Sequence, residues 1–123
     1  MFNSLNLKVF AVASVALGAV AVSLPAASAP SYDGVWSVVI ITNSGTCDRA
    51  YRYPVRISNG AVLNEGSSPA TINGKVANNG SVTVTVVGGG KTATGSGRLS
   101  GHIGAGSWRG GDCAGTWEAE KRS

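Results

Sequence analysis

From residue 30 onward, glycine-containing turn sequences divide the chain into short segments in which apolar and polar residues alternate. The alternation is clearest in residues 51–57 and 81–87. A period of two places apolar side chains on one face of a β-strand and polar ones on the other. Because no helical period is present in this part of the chain, we expect an all-β fold of about eight short strands.

The connections between these segments are uniformly short. Asn59-Gly60 is a strong hairpin signal, because both residues tolerate positive φ. We expect further turns at residues 78–80, 88–90, 101–104 and 110–112. Short connections favour an antiparallel up-and-down barrel, since a meander removes its exposed edges by closing on itself. A two-sheet β-sandwich is the alternative.

A Gly-x-Trp sequence occurs three times, ending at Trp36, Trp108 and Trp117. The first tryptophan lies on the first strand and the other two lie on the last pair of strands. If the first and last strands meet, we expect the three indoles to plug one end of the barrel. Bulky apolar residues of this kind in short strands also favour a filled interior over a cavity.

Cys47 and Cys113 are the only cysteines. The chain has 18 glycines among 123 residues, and glycine loses more backbone entropy on folding than any other residue. A covalent crosslink would offset part of that cost. Two cysteines and one histidine do not complete a zinc site. We therefore expect a Cys47–Cys113 disulfide, which forms in an oxidising compartment.

Residues 1–29 have the layout of a secretory signal peptide. Lys8 precedes an uncharged apolar run over residues 9–24, and small residues follow Pro25. The run is shorter than the roughly 20 residues that a membrane-spanning helix needs. We expect cleavage, a single β domain over residues 30–123, and a periplasmic or secreted location.

Catalysis requires a nucleophile or base held near a partner, and the sequence offers no such set. His102 is the only histidine and lies in a glycine turn. Glu118 and Glu120 share a strand face beside Lys121, which is typical of a solvated surface. We predict that the protein is not an enzyme and that it needs no metal or cofactor.

Three arginines around the second strand, Arg49, Arg52 and Arg56, form a candidate interaction surface for an anionic partner. The alternative is that they are ordinary solubilising residues. The formal net charge of the whole chain is only +4, whereas nucleic-acid binders carry a denser basic stripe. We therefore expect no nucleic-acid partner, and we expect a monomer.

Several segments together resemble small secreted proteins of rhizobium-like alphaproteobacteria: residues 32–37 (YDGVWS), 45–49 (GTCDR), 51–55 (YRYPV), 95–101 (GSGRLSG) and 113–117 (CAGTW). This likeness spans most of the chain after residue 30. It implies a Gram-negative periplasmic or secreted setting and no particular activity.

A looser likeness is to periplasmic metalloprotease inhibitors of the AprI/Inh type. Gly34-Val35-Trp36 followed by Cys47-Asp48 is similar to their opening. The resemblance implies an eight-stranded barrel with one disulfide. The chain departs from that pattern because Cys113 lies far from Cys47, and because the segment before Asp33 is short for one that plugs a protease cleft.

These observations lead to three functional hypotheses. The first is a non-enzymatic binding or interaction protein of the bacterial cell envelope. The second is an inhibitor of a secreted or host hydrolase, of the protease or lysozyme type. The third is a carrier of a small apolar ligand, because an eight-stranded barrel can enclose one ligand when side chains do not fill it.

Overall fold

A computed structural model of the protein describes residues 31–67 and 69–123. The predicted signal peptide, residues 1–29, lies outside the described residues. Within the described part of the chain, no helix is long and apolar enough to cross a membrane. The described strands are β1 (Gly34–Ser44), β2 (Ala50–Ser58), β3 (Ala61–Asn64), β4 (Thr71–Val76), β5 (Ser81–Gly88), β6 (Lys91–Ser100), β7 (Ile103–Gly110) and β8 (Cys113–Lys121).

The eight strands form one closed barrel in which each strand pairs antiparallel with the next. β8 returns to β1 and closes the barrel, in a register that runs from Trp36 opposite Lys121 to Ser44 opposite Ala114. The predicted up-and-down barrel is confirmed, and the two-sheet sandwich is not adopted. The short turns are the physical basis of the meander barrel. At Asn59-Gly60, for example, φ is 50° and 78°, as a type I′ hairpin requires.

Three of the predicted turns are narrower than expected. Gly88, Gly104 and Gly110 belong to strands rather than to turns. Gly104 and Gly110 lie on the inward face of β7, where an added Cβ would come within 2.3 Å of Leu99 and 2.6 Å of Ala93. Gly104 and Gly110 therefore allow close packing against their paired neighbours on β6 and do not reverse the chain.

The two ends of the barrel differ. The closed end carries the turns at residues 59–60, 77–80 and 101–102, and the open end carries the connections at residues 45–49, 65–67, 69–70, 89–90 and 111–112. The buried core lies mostly toward the closed end, where Trp36 is only 1% exposed. Its members are Trp36, Val55, Ile57, Val62, Ile72, Val82, Leu99, Trp117 and Ala119.

The expectation that the three tryptophans plug one end is wrong. The Trp36 indole donates to the Tyr32 carbonyl at the closed end, whereas the Trp108 indole donates to the Ile41 carbonyl near the open end. Trp36 and Ile41 are five residues apart on β1, which corresponds to about 16 Å along a strand. With Trp117 paired beside Ile40, the indoles are distributed along the barrel wall.

The predicted disulfide is confirmed. Cys47 and Cys113 are bonded, with their Cα atoms 6.1 Å apart. The bridge joins the loop after β1 to the first residue of β8, so it crosslinks the two strands whose pairing closes the barrel. A structural disulfide indicates an oxidising compartment outside the cytoplasm.

Replacing Gly97 with alanine should destabilise the barrel. A Cβ at this position would lie 2.3 Å from the Ala105 carbonyl oxygen and 2.5 Å from the Trp117 ring. Overpacking of a filled interior costs about 1–3 kcal/mol. We expect Gly97→Ala to lower the free energy of unfolding by about 1–3 kcal/mol or more, as measured by urea denaturation.

Gly95→Ala is the matched control, because Gly95 also faces inward from β6. Its added Cβ would come no closer than 3.1 Å to a neighbour, the Val84 side chain. The free energy of unfolding should therefore change by less than about 1 kcal/mol. Equal effects at the two positions would contradict the packing described here.

Reduction of the disulfide should also destabilise the protein. The bridge spans 66 residues, and in the chain-entropy model a loop of this size stabilises by about 4 kcal/mol. We expect a loss of that order when urea denaturation is repeated with reductant. The Cys47→Ser/Cys113→Ser variant should start from the lower stability and show no response to reductant; a response would point to another redox-sensitive group.

Candidate functional site

The barrel encloses a cavity of about 280 Å³ that is lined by inward-facing residues of its strands. Toward the closed end its lining residues are buried, as with Leu99 at 3% exposure. Toward the open end they are partly exposed: Tyr51, at 48% exposure, marks the mouth together with Val86, Ala93 and Trp108. The interior is therefore an apolar cavity that is closed at one end and open at the other. The expectation of a filled barrel is wrong.

The cavity exists because one side of the barrel has small inward residues. β6 presents Ala93, Gly95 and Gly97 to the interior, opposite the valines of β5. The Trp117 ring occupies the space beside Gly97 and Gly106, but Ala93 and Gly95 lie nearer the mouth, and the space beside them is part of the cavity.

The polar groups around the cavity are bonded to its wall. The Trp108 indole donates to the Ile41 carbonyl at 3.0 Å, and the Trp117 indole donates to the Ser96 carbonyl at 3.2 Å. The Tyr53 hydroxyl donates to the Asn64 side chain at 2.9 Å. Since these donors are satisfied by protein acceptors, the surface that they present to the cavity is carbon.

Glu65 and Ala70, between β3 and β4, are tied to the rim of the open end. The Asn64 amide donates to the Ala70 carbonyl at 2.6 Å. On the outside, Arg56 and Glu65 form an ion pair at 2.9 Å. Because Ala70 itself lines the cavity, these bonds hold one edge of the mouth in place.

Tyr51 stands at the mouth beside Asp48. Burial raises the pKa of the Tyr51 phenol above its ordinary value of 10.0, and the charge of Asp48 and the neighbouring Tyr53 raise it further. The tyrosine at the entrance is therefore a neutral phenol at physiological pH, with an aromatic face beside the opening.

The predicted disulfide residues lie at the same open end. Asp112 has a carboxylate oxygen within 4.8 Å of the Cys47 and Cys113 sulfurs. The two sulfurs are bonded to each other, so neither is available as the thiolate that would ligate a metal. The cluster is a structural crosslink at the rim.

The three arginines of the predicted interaction surface differ in position and in their bonding partners. Arg52 and Arg56 project from the outer face of β2, and Arg49 lies in the loop that precedes this strand. Arg56 is paired with Glu65, and Arg52 donates to the Ser37 hydroxyl at 2.9 Å. None of the three lines the cavity.

The residues considered for acid–base chemistry lie elsewhere. His102 occupies the turn between β6 and β7 at the closed end, where its carbonyl accepts a bond from the Lys121 amide. Glu118 and Glu120 are exposed on the outer face of β8, and Glu120 pairs with Arg122 at 3.2 Å. These three side chains do not border the cavity.

Sequence reasoning missed the cavity-lining positions as a site. The signal was present at three inward positions of β6, Ala93, Gly95 and Gly97, where the residues are small while the intervening outward ones are polar. Such a pattern indicates a wall without filling side chains. Its meaning depends on which bulky residues of other strands reach across, and alternation alone does not specify that.

The raised pKa of Tyr51 predicts its alkaline titration. The difference in tyrosinate absorbance between the wild type and Tyr51→Phe should titrate with a midpoint above 10.0, because burial and Asp48 disfavour the phenolate. A group whose folded-state pKa is raised stabilises the fold below its unfolded pKa and loses that contribution as pH rises through the folded value. Tyr51→Phe should therefore lose less stability than the wild type above pH 10; a difference midpoint at or below 10.0 would contradict this environment.

Comparison with protein-family models, with curated proteins and with solved structures found no match to this chain. The two resemblances drawn from the sequence therefore stay predictions. The cavity, its lining and its opening are the features of this chain that indicate a function.

Proposed function

We propose that the protein is a non-enzymatic binding protein, located in the periplasm or secreted, that holds a small apolar molecule inside its barrel. The observation that carries this proposal is the blind cavity of about 280 Å³ with an almost wholly carbon lining. The disulfide supports an extracytoplasmic location, and a bacterial envelope setting is what the resemblance to secreted proteins of rhizobium-like bacteria implies.

The size of the cavity defines the size of the ligand. An apolar protein cavity of about 150 Å³ holds one benzene molecule. A cavity of about 280 Å³ therefore suits a compact apolar molecule of about ten to twelve carbon atoms. Larger ligands would have to extend past Tyr51 into solvent.

The chemistry of the lining defines the class of ligand. Burying a polar group without a hydrogen-bond partner costs about 1–3 kcal/mol, and the indole donors and the Tyr53 hydroxyl are already bonded to the wall. A hydrocarbon or aromatic body inside the barrel, with any polar end toward the mouth, meets this surface best.

Among the three functional hypotheses, the cavity favours the ligand carrier. An inhibitor or an envelope interaction protein would act through its rim or outer surface and would gain nothing from an apolar hole behind Tyr51. The rim loops also contain carboxylates and cations side by side, as at Asp48-Arg49. The surface around the mouth therefore does not carry charges of one sign only.

A titration with naphthalene tests the proposal directly. We expect saturable binding with a Kd on the order of 10 µM, followed by NMR through the methyl resonances of Val84 and Val86. Val86→Trp places an indole in the cavity and should weaken binding at least tenfold.

Val87→Trp is the matched control. Val87 is the next residue of β5 but faces outward and is 46% exposed, so this variant should bind as the wild type does. Non-saturable binding, or equal effects of the two tryptophan substitutions, would overturn the proposed site.

A further inference from the structure

The charged residues are divided between two parts of the barrel. From Gly66 to Gly111 the sequence has no aspartate or glutamate, and all six acidic residues of the chain lie outside this stretch. The stretch contains four cationic residues, Lys75, Lys91, Arg98 and Arg109. Because it forms the consecutive strands β4 to β7, the fold turns a sequence bias into one continuous face with positive charges only.

This face carries a groove of about 880 Å³ on the outer side of the barrel wall, across the wall from the interior cavity, and Val84, Gly95 and Trp108 border both spaces. The outward side chains of the groove include a row of hydroxyls on adjacent strands. The row starts at Lys75 on β4 and continues on successive strands through Thr83, Ser96 and Ser107. A second row places Arg109 directly opposite Thr94.

The cations of the groove differ from those on the acidic part of the barrel. Arg56 and Arg122 are paired with Glu65 and Glu120. Lys75 and Arg109 are exposed, and neither has a carboxylate partner among residues 31–67 and 69–123. Their full positive charge is therefore presented to solvent, beside hydroxyls that both donate and accept hydrogen bonds.

We propose that the outer face of β4–β7 binds an acidic polysaccharide of the uronic-acid type. Lys75 and Arg109 contact its carboxylates, and Thr83, Ser96 and Ser107 bond its hydroxyls. Lys75 and Arg109 are separated by three strand spacings, or about 14 Å across the sheet. A single sugar is too short to contact both, so the ligand is an oligomer or a polymer.

The same observations disfavour other anionic partners. Single-stranded nucleic acids are bound with aromatic stacking platforms. The only Phe, Trp or Tyr between Gly66 and Gly111 is Trp108, and although it borders the groove, it is only partly exposed and its indole is bonded to the Ile41 carbonyl. Anionic membranes are bound through a basic face combined with apolar side chains that enter the lipid, whereas the exposed side chains that line this groove are polar or charged.

The test uses the protein without truncation and isothermal titration with an oligogalacturonate. We expect saturable binding that weakens as salt is added, because exposed ion pairs are screened. The Lys75→Gln/Arg109→Gln variant should lose at least tenfold in affinity while still binding naphthalene as the wild type does. A neutral maltooligosaccharide of equal length should bind at least tenfold more weakly.

Arg52→Gln/Arg56→Gln makes the same change in net charge on the outer face of β2 and should alter the affinity less than twofold. Equal losses in the two double variants would show general attraction to a cationic protein and would overturn the proposal. The proposal also fails if anionic vesicles or single-stranded DNA bind more tightly than the oligogalacturonate. Because Lys75 and Arg109 lie on the outer side of the barrel wall and Val86 on the inner side, either proposal can fail without the other.

Discussion

The pairing of β1 with β8 is the constraint on which the rest of the structure depends. It converts an open meander into a barrel and removes both sheet edges, which would otherwise expose unpaired backbone groups. The Cys47–Cys113 bridge reinforces this pairing at the open end. At the closed end, the Arg122 amide donates to the Val35 carbonyl at 2.7 Å, so the seam is held at both ends of the two strands.

Closure also creates the asymmetry of the interior. Trp36 and its neighbours fill the closed end, while Trp117 packs against Gly97 and Gly106 midway along the barrel. Near the mouth, Trp108 lies beside Gly95 and borders the opening, but the space next to Ala93 and Gly95 stays unfilled as part of the cavity. A well-packed half supplies stability, and an under-filled half leaves an apolar space, so one continuous sheet combines a core with a binding cavity.

The sequence predicted the strands and the closed barrel well, because alternation and turn chemistry are local properties. Asn59-Gly60 is a hairpin turn wherever it occurs between such strands, and Ala61–Asn64 is a strand as expected. The errors occurred where a residue's role depended on distant neighbours. Gly104 and Gly110 were expected in turns, but they pair with β6 and β8 as part of β7, and the close approach of Leu99 and Ala93 explains why both are glycine.

The chain's own sequence determined its all-β class, the number of strands and the pairing of its two cysteines, since each follows from local geometry or from the absence of another partner. Only the tertiary structure decided where the indoles lie and whether the barrel is filled. It also decided that the stretch of sequence without aspartate or glutamate forms one face of the barrel. Those properties depend on the stagger of the strands around the barrel and on the side-chain volumes summed across eight strands. A period-two pattern specifies which side of a strand faces inward but not how much space remains there.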